Sequence, residues 1–504
     1  MVKDTIKPKI LLINPALSGG LKTGIFTIKV PLGLAYIASY LEKKGYFPQI
    51  LDCMAYYENI EKIKDEDYRI GLSEKDIIKK IKEFSPDIVG IACGYTIHEN
   101  DSISIAELVK KNSKALVVFG GAHTSANPTL VLRNKNVDIA VIGEGEITFS
   151  KIVENFNNKN KIEKINGIAF RNKKGIKINP QSEYIKNLDE LPFPARHLLP
   201  MEKYLKHPQN AIANMRAPTT EIITSRGCPF NCIFCSIHTV WGKKWRARSA
   251  KNVVDEFEEL YIKYGIREFR FFDDNLSWDK KRMIEICDEI IKRKLDIKWD
   301  TPNGVAIATL NEEVLSKMKK AGYYKIVMGI ESGSEKTLRF MRKPVSLEHA
   351  RKTIEICNRL GIWTWSTFVI GFPDETKEEI QKTIDFAKNS GLNFATFYIA
   401  QPYPGTDLCE IYKKEGLLKK GLNNRSSVTE TQYDTKYFNA EQLRNLQRKA
   451  YSDFLKHRMI RYLNPKYFYK EFLNRFKTFE DVKYIFRMFL NLVGKEYSPI
   501  YQKK

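Results

Sequence analysis

Cysteine is scarce in this chain, with eight in 504 residues, far too few for a disulfide scaffold. In a reducing compartment, clustered thiols serve metals or catalysis more often than bridges. No apolar run reaches the ~18 residues needed to span a bilayer. The start MVKDTIKPKILLINP lacks the apolar centre and small-residue cleavage site of a secretory signal. The expectation is a cytoplasmic protein. There is no Arg-Gly repeat, zinc-finger spacing or long basic block, which argues against nucleic acid as a partner. No internal repeat or low-complexity segment is visible.

What is present is an ordinary globular composition, 43% hydrophobic and 28% charged. The length predicts roughly two to four domains. Lysine and arginine number 83 against 60 acidic residues, a formal charge of +23. Such an excess suits an anionic partner, whether nucleic acid, membrane surface or acidic substrate. It also fits a general lysine bias, because the lysines are scattered along the chain.

Residues 1–155 alternate short β-branched runs (9–14, 48–53, 87–92, 115–120 and 137–143) with amphipathic stretches (33–45, 74–84 and 104–112). That pattern predicts a doubly wound parallel sheet, an α/β fold. Turn residues follow the strands at Asn14-Pro15, Cys93-Gly94, Gly120-Gly121 and Gly143-Glu144-Gly145. Ligands of such sheets bind at the carboxyl ends of the strands. Residues 156–218 read as a hairpin around Lys173-Lys174-Gly175 and a proline-bearing linker. A second alternating series over 219–405 begins with EIITSRG (221–227) and holds six strands, which predicts a partial (β/α)6 barrel. Residues 406–504 read as helical, and their last part is dense in basic and aromatic side chains. Two readings stay open there, a packed helical cap and an amphipathic surface for lipid or a lipophilic substrate.

The sharpest signal is TSRGCPFNCIFCS, which sets Cys228, Cys232 and Cys235 in a C-x3-C-x2-C run after the first barrel strand. Three thiolates can hold three corners of an iron–sulfur cube, leaving the fourth iron open to a small molecule. Zinc is the weaker reading, since paired C-x2-C halves or a histidine partner are expected, although His238 lies near. The other cysteines, Cys53, Cys93, Cys287, Cys357 and Cys409, read as small core hydrophobes.

This run resembles the signature of the radical S-adenosylmethionine (SAM) superfamily. FRFFDDNLSWD (269–279), AGYYKIVMGIESGSEKTL (321–338), FVIGFPDETKEEI (368–380) and PYPGTDL (402–408) resemble its successive strand-end motifs over 215–410. The resemblance implies a [4Fe-4S] cluster on Cys228, Cys232 and Cys235, with SAM chelated at the open iron. It also implies Asp273, Asp274, Glu331, Ser332 and Gly371 around the SAM. A helix N-cap is the competing reading for the aspartates. Arg226, Arg246 and Arg248 are candidates for an anion or for ion pairs.

The first domain resembles the cobalamin-binding domain that precedes the barrel in one branch of that superfamily, through PLGLAYIASYLEKKGY (31–46), PDIVGIACGYT (86–96), VVFGGAHTSANP (117–128) and DIAVIGEGEITF (138–149). Ala92, Cys93, Gly94, Gly120, Gly121 and Gly143 would then line a cobalamin site. The motif D-x-H-x-x-G, whose histidine ligates cobalt, is absent: the loop NPALSGGLKTGIFTIKVP (14–31) holds neither His nor Asp. His98 and His123 follow later strands. Cobalt held without a protein imidazole, or a pocket that no longer binds cobalamin, are the two consequences. Methylthiotransferases of the same superfamily need three cysteines in this domain, which has only Cys53 and Cys93.

The resemblance implies methylation of an unactivated carbon of a small-molecule or lipid substrate, by hydrogen abstraction and transfer from methylcobalamin. A low-potential donor such as flavodoxin or ferredoxin would supply electrons, and the tail would offer peripheral membrane contact. Cobalamin-assisted oxidative cyclisation or rearrangement, and a non-catalytic cobalamin or redox sensor, are the alternatives.

Overall fold

Runs of Val, Ile, Leu and Ala with no polar alternation suit strands covered on both faces. In the computed structural model, which describes residues 7–20, 28–64, 67–181, 184–207, 214–418, 431–476 and 478–493, they form the first sheet. The chain forms two compact units, one of residues up to Gln209 with Ser236–Gly242, the other of Asn210–Cys235 with Lys243 onward.

In the first unit the strands are β1 (Ile10–Asn14), β2 (Leu17–Gly20), β3 (Gln49–Asp52), β4 (Ile60–Lys64), β5 (Asp67–Ile70), β6 (Ile88–Ala92), β7 (Leu116–Gly120), β8 (Ile139–Val141), β9 (Ile168–Asn172) and β10 (Gly175–Asn179). The main sheet runs β10-β9-β8-β7-β6-β1-β3. Its parallel part matches the five expected strands, all five pairing in parallel. Helices α1 (Leu32–Lys43), α2 (Glu74–Phe84), α3 (Glu99–Asn112) and α4 (Gly145–Glu154) connect them. Separate apolar clusters form, one around Ile13, Ile91 and Phe119 and one around Leu12, Val118 and Phe149. α3 begins at Glu99 rather than Ser104, because Glu99 and Asp101 in its first turn suit the helix N-terminus.

Two features depart from the expected layout. The hairpin β9–β10, expected around Lys173-Lys174-Gly175 but outside the first domain, extends its sheet: β9 pairs antiparallel with β8 and buries Ile168, Ala169 and Phe170. β8 has only three residues, and this pairing removes an otherwise open edge. A small antiparallel sheet, β2-β5-β4, also forms from segments that carry no strand signal.

In the second unit, β11 (Thr219–Ile222), β14 (Glu268–Phe271), β15 (Lys298–Val305), β16 (Tyr323–Glu331), β17 (Trp363–Ile370) and β18 (Phe394–Ile399) form one six-stranded sheet in sequence order. All five pairings are parallel, as in an open barrel. The first strand stops at Ile222. Beyond it β12 (Ser225–Arg226) pairs antiparallel with β13 (Arg246–Ala247). The intervening helices are α5 (Ala250–Lys263), α6 (Lys280–Lys292), α7 (Glu312–Lys320), α8 (Leu347–Leu360) and α9 (Lys377–Asn389).

The tail is helical, with α10 (Ala440–Tyr462), Pro465–Glu471 and α11 (Phe479–Val493). α10 lies along the edge strand: Gln447 Nε2 donates to Phe397 O at 2.9 Å. It thus covers the side on which the barrel stays open. Phe472, Phe476 and Tyr484 pack on Trp363, the first residue of β17, beside Tyr324 and Met215. These rings close the end of the barrel where the strands begin, opposite the cysteine loop. Among the described residues no helix is long and apolar enough to cross a membrane.

Candidate functional site

The cysteine loop is held at its root by an acid. Asp273, just past β14, is buried. Its Oδ1 accepts the Thr224 N–H at 2.8 Å, and its Oδ2 accepts the hydroxyls of Thr224 at 2.7 Å and Ser225 at 2.5 Å. Burial raises this carboxyl, and the Arg282 charge and these donors oppose the rise. Asp274 accepts the Gly227 N–H at 3.2 Å, and burial, with Asp273 beside it, pushes it up to about 7. Both aspartates therefore orient the chain leading into Cys228. Neither caps a helix: Asp279 caps α6 through the Arg282 N–H at 3.0 Å.

The loop is pinned at its middle as well. Ile233 N donates to Met341 O at 3.1 Å, and Leu408 N donates to Ile233 O at 2.8 Å. Cys228, Cys232 and Cys235 are half-buried free thiols. Asn275 Nδ2 lies 4.0 Å from Cys228 Sγ, and Cys232 Sγ lies 3.9 Å from Arg342 O. Burial raises the Cys228 and Cys232 thiols, and the Lys343 charge opposes it at Cys232. Among the described residues no three His, Cys, Asp or Glu side chains converge on a single point. Three thiols spread along one short loop suit a cube, whose corners stand apart, better than a lone ion.

Glu331 ends β16 in the left-handed region, at φ +68°. Its Oε1 accepts from Lys343 Nζ at 3.3 Å and its Oε2 from Thr367 Oγ1 at 3.1 Å. A carboxylate so placed can also accept from an ammonium or a ribose hydroxyl. Ser332 is fully buried, its hydroxyl 2.9 Å from Thr383 Oγ1 and accepting from the Ser334 N–H at 3.0 Å, so it shapes the turn. Gly371, at φ +81°, donates its N–H to Glu375 Oε2 at 2.6 Å. Arg248 is taken by the buried Glu256 at 2.5 Å. Arg226 and Arg246 lie buried across from each other in the β12–β13 ribbon.

Lys343 lies outside every motif above, and Asn275 and Glu375 lie inside FRFFDDNLSWD and FVIGFPDETKEEI without a feature that singles them out. Each lies on a loop without periodicity, and its position beside a strand end follows only once the barrel is assembled.

In the first unit the expected cobalamin residues divide. Gly94 and Gly120 face open space, with no atom within 4 Å of a would-be Cβ. Gly121, at φ +117°, packs on the strand end before it, where a Cβ would lie 2.7 Å from Cys93 O. Ala92 accepts the Ser102 hydroxyl through its carbonyl at 3.0 Å. Cys93 turns into the core cluster, and burial pushes its thiol up to about 12. Gly143 donates its N–H to Ser125 Oγ at 3.0 Å. His123 is buried, its Nε2 3.2 Å from Glu99 Oε2. His98 Nδ1 is 3.1 Å from Asp101 Oδ2.

The family models agree with this division. Residues 222–387 match the Radical SAM superfamily and residues 27–153 the B12 binding domain. An uncharacterized methyltransferase of Pyrococcus horikoshii is 36% identical over 92% of this chain and 94% of its own length. Cytidylyl-2-hydroxyethylphosphonate methyltransferase of Streptomyces wedmorensis is 34% identical over 81% of this chain and 82% of its own. The solved radical SAM methyltransferase TsrM from Kitasatospora setae, with cobalamin and a [4Fe-4S] cluster bound, shares the fold with a TM-score of 0.66 at 17% identity, covering 82% of this chain and 76% of that one. The chain belongs to the radical SAM enzymes that carry a B12-binding domain ahead of the barrel, in a family of cobalamin-dependent methyltransferases.

Proposed function

We propose that this enzyme methylates an unactivated carbon of a small-molecule or lipid substrate. The observation that carries the reading is similarity to methyltransferases at 36% identity over 92% of the chain and 34% over 81% of it, joined to an intact three-cysteine loop. When bound, the cluster and SAM supply one-electron removal of a hydrogen atom from carbon, and cobalamin supplies the transferable methyl group.

The chain's own residues do the rest. Cys228, Cys232 and Cys235 would hold three irons of the cluster, and the Lys343 ammonium would offset the charge of their thiolates. Glu331 would receive a donor of SAM, its amino group or ribose hydroxyls. Gly371 and Ser332 keep the neighbouring loops in place, and Asp273 and Asp274 aim the cysteine loop. Gly94 and Gly120 leave room for cobalamin at the strand ends of the first unit, beside Ala92, while Cys93 and Gly121 fix those ends in register and Gly143 packs against Gln181 and Val240. A flavodoxin- or ferredoxin-like carrier donates the electrons, and the formal charge of +23 favours such an acidic partner.

The tail supports peripheral contact with an anionic membrane. Leu455, Met459 and Leu463 are exposed at four-residue spacing along α10 and its cap, and Phe479, Val482 and Phe486 along α11. Lys456, Lys466 and Lys483 are exposed among them. Of the nearby acids, Glu471 is engaged by Arg458 and Arg461 and Glu480 by Arg216. An apolar face with lysines at its margin is the pattern of an interfacial helix.

The test is anaerobic turnover of the reconstituted enzyme with SAM, hydroxocobalamin and titanium(III) citrate. Formation of both 5′-deoxyadenosine and S-adenosylhomocysteine supports methyl transfer. 5′-Deoxyadenosine without S-adenosylhomocysteine overturns it in favour of radical chemistry without methylation.

A further inference from the structure

A chain of three polar side chains, two of them buried, crosses the strand-end side of the first unit. Glu99, first residue of α3, is 4% exposed, and His123, just after Gly120-Gly121, is 3% exposed. His123 Nε2 lies 3.2 Å from Glu99 Oε2, and its Nδ1 lies 3.0 Å from Thr96 Oγ1. Thr96 is half-buried, in the loop that leaves β6. Its neighbours are open: Tyr95 is 68% exposed, Ile97 is 42% exposed, and Gly94 faces empty space.

Hydrogen-bond logic gives this chain a direction. A carboxylate only accepts, and the tautomer of His123 that satisfies Glu99 carries its proton on Nε2 and donates it there. Nδ1 is then the acceptor, and the Thr96 hydroxyl proton points inward to it. What Thr96 offers outward is oxygen lone pairs alone. The adjacent pair, His98 with Asp101, is structural, since Asp101 Oδ2 also accepts the Ser18 N–H at 3.2 Å and ties β2 to α3.

We propose that Thr96, set as an acceptor by His123 and Glu99, receives a carboxamide N–H from the rim of a corrin ring seated over these strand ends. Primary carboxamides are the donors that a corrin carries around its edge. Thr96 is thus a binding residue, and His123 and Glu99 are positioning residues. The proposal rests on the reading that this unit binds cobalamin, and it supplies a fixed contact where the loop after β1 has no histidine.

Hydroxocobalamin binding to the full-length protein is titrated by its visible spectrum, with melting temperature as the control for folding. Thr96→Val weakens binding by about tenfold, the loss of one well-placed hydrogen bond, and Thr96→Ser stays within about twofold of the parent. If Val lowers the melting temperature, Thr96→Ala is read in its place. His123→Gln weakens binding alone and adds little once Thr96 is Val, a coupling that a merely structural histidine does not give. Parental affinity in Thr96→Val and Thr96→Ala overturns the proposal. A parent chain that takes up no cobalamin overturns the reading of the first unit, and this contact with it.

Discussion

Lys343 Nζ stands 3.3 Å from Glu331 Oε1, and the backbone is arranged around that pair. Glu331 occupies a left-handed conformation, which costs a non-glycine residue about 1 kcal/mol or more. Two residues earlier is Gly329, where a Cβ would lie 2.6 Å from Glu331 Oε1 and 3.0 Å from Lys343 Nζ. A strained residue and a missing side chain both serve to seat one ion pair beside Cys232.

Lys343→Met leaves the Glu331 carboxylate largely buried without its counter-ion, with the Thr367 hydroxyl still donating. Removing one partner of a buried pair costs about 3 kcal/mol or more. Equilibrium dialysis of SAM against the anaerobic holoenzyme should show affinity reduced by about tenfold or more, with iron content maintained. Gly329→Ala should produce a similar loss without removing either charge, because the new methyl displaces both groups.

Asp273→Asn replaces two lone-pair acceptors with an amide N–H facing the Thr224 and Ser225 hydroxyls. Bonds to a buried charged acceptor contribute about 1.5–3 kcal/mol each. The cysteine loop should lose its orientation before the barrel unfolds. Iron and sulfide per chain after reconstitution should fall well below the parent, and the melting temperature should fall by about ten degrees, at about 2–4 °C per kcal/mol lost.

Glu375 gives a pH signature. Burial pushes its carboxyl from 4.5 up to about 8, against the Gly371 and Phe372 N–H groups that favour its charge. The unfolded chain therefore releases this proton first as pH rises. The group's contribution to stability is full below about pH 4.5 and is lost as pH climbs through about 8, with a slope of at most ~1.4 kcal/mol per pH unit. Glu375→Gln keeps an acceptor for both N–H groups and does not ionise. Its melting temperature should gain on the parent steadily between pH 5 and pH 8.5; a constant difference contradicts this account.

The exposed faces of α10 and α11 predict sedimentation with phosphatidylglycerol vesicles and not with neutral phosphatidylcholine ones. Leu463→Glu with Phe479→Glu should abolish it without altering the melting temperature, since both side chains are exposed. Equal recovery from both vesicle types removes the membrane contact.

Much of the fold is legible in the amino-acid sequence. The five β-branched runs of the first unit mark strands because a doubly covered strand is apolar throughout, and the six of the barrel, which bury Glu268, Asp300 and Lys325, are marked by their regular alternation with amphipathic helices. The Cys228, Cys232 and Cys235 spacing stands out because so few other thiols surround it. Partnership is hidden. Nothing local tells that Ile168–Asn172 pairs back on Ile139–Val141, or that Leu17–Gly20 meets Asp67–Ile70. Asp273 reads as a SAM residue since it ends a strand at the barrel mouth, but its oxygens turn to Thr224 and Ser225, 49 and 48 residues back in sequence. Lys343 lies 12 residues beyond Glu331, a separation that no helix or strand period predicts. The tail's aromatic residues carry both meanings at once: Tyr484 packs on Trp363 while Phe486 stays exposed.

The most direct test of the central claim is anaerobic reconstitution with iron, sulfide and hydroxocobalamin, followed by desalting, metal analysis and the visible spectrum. The account predicts about four irons and about one cobalt per chain, with Cys232→Ala losing the iron and keeping the cobalamin. A chain that holds zinc in place of iron, or keeps its iron in Cys232→Ala, contradicts the assignment of the cysteine loop. One that keeps iron and no cobalt contradicts the assignment of the first unit.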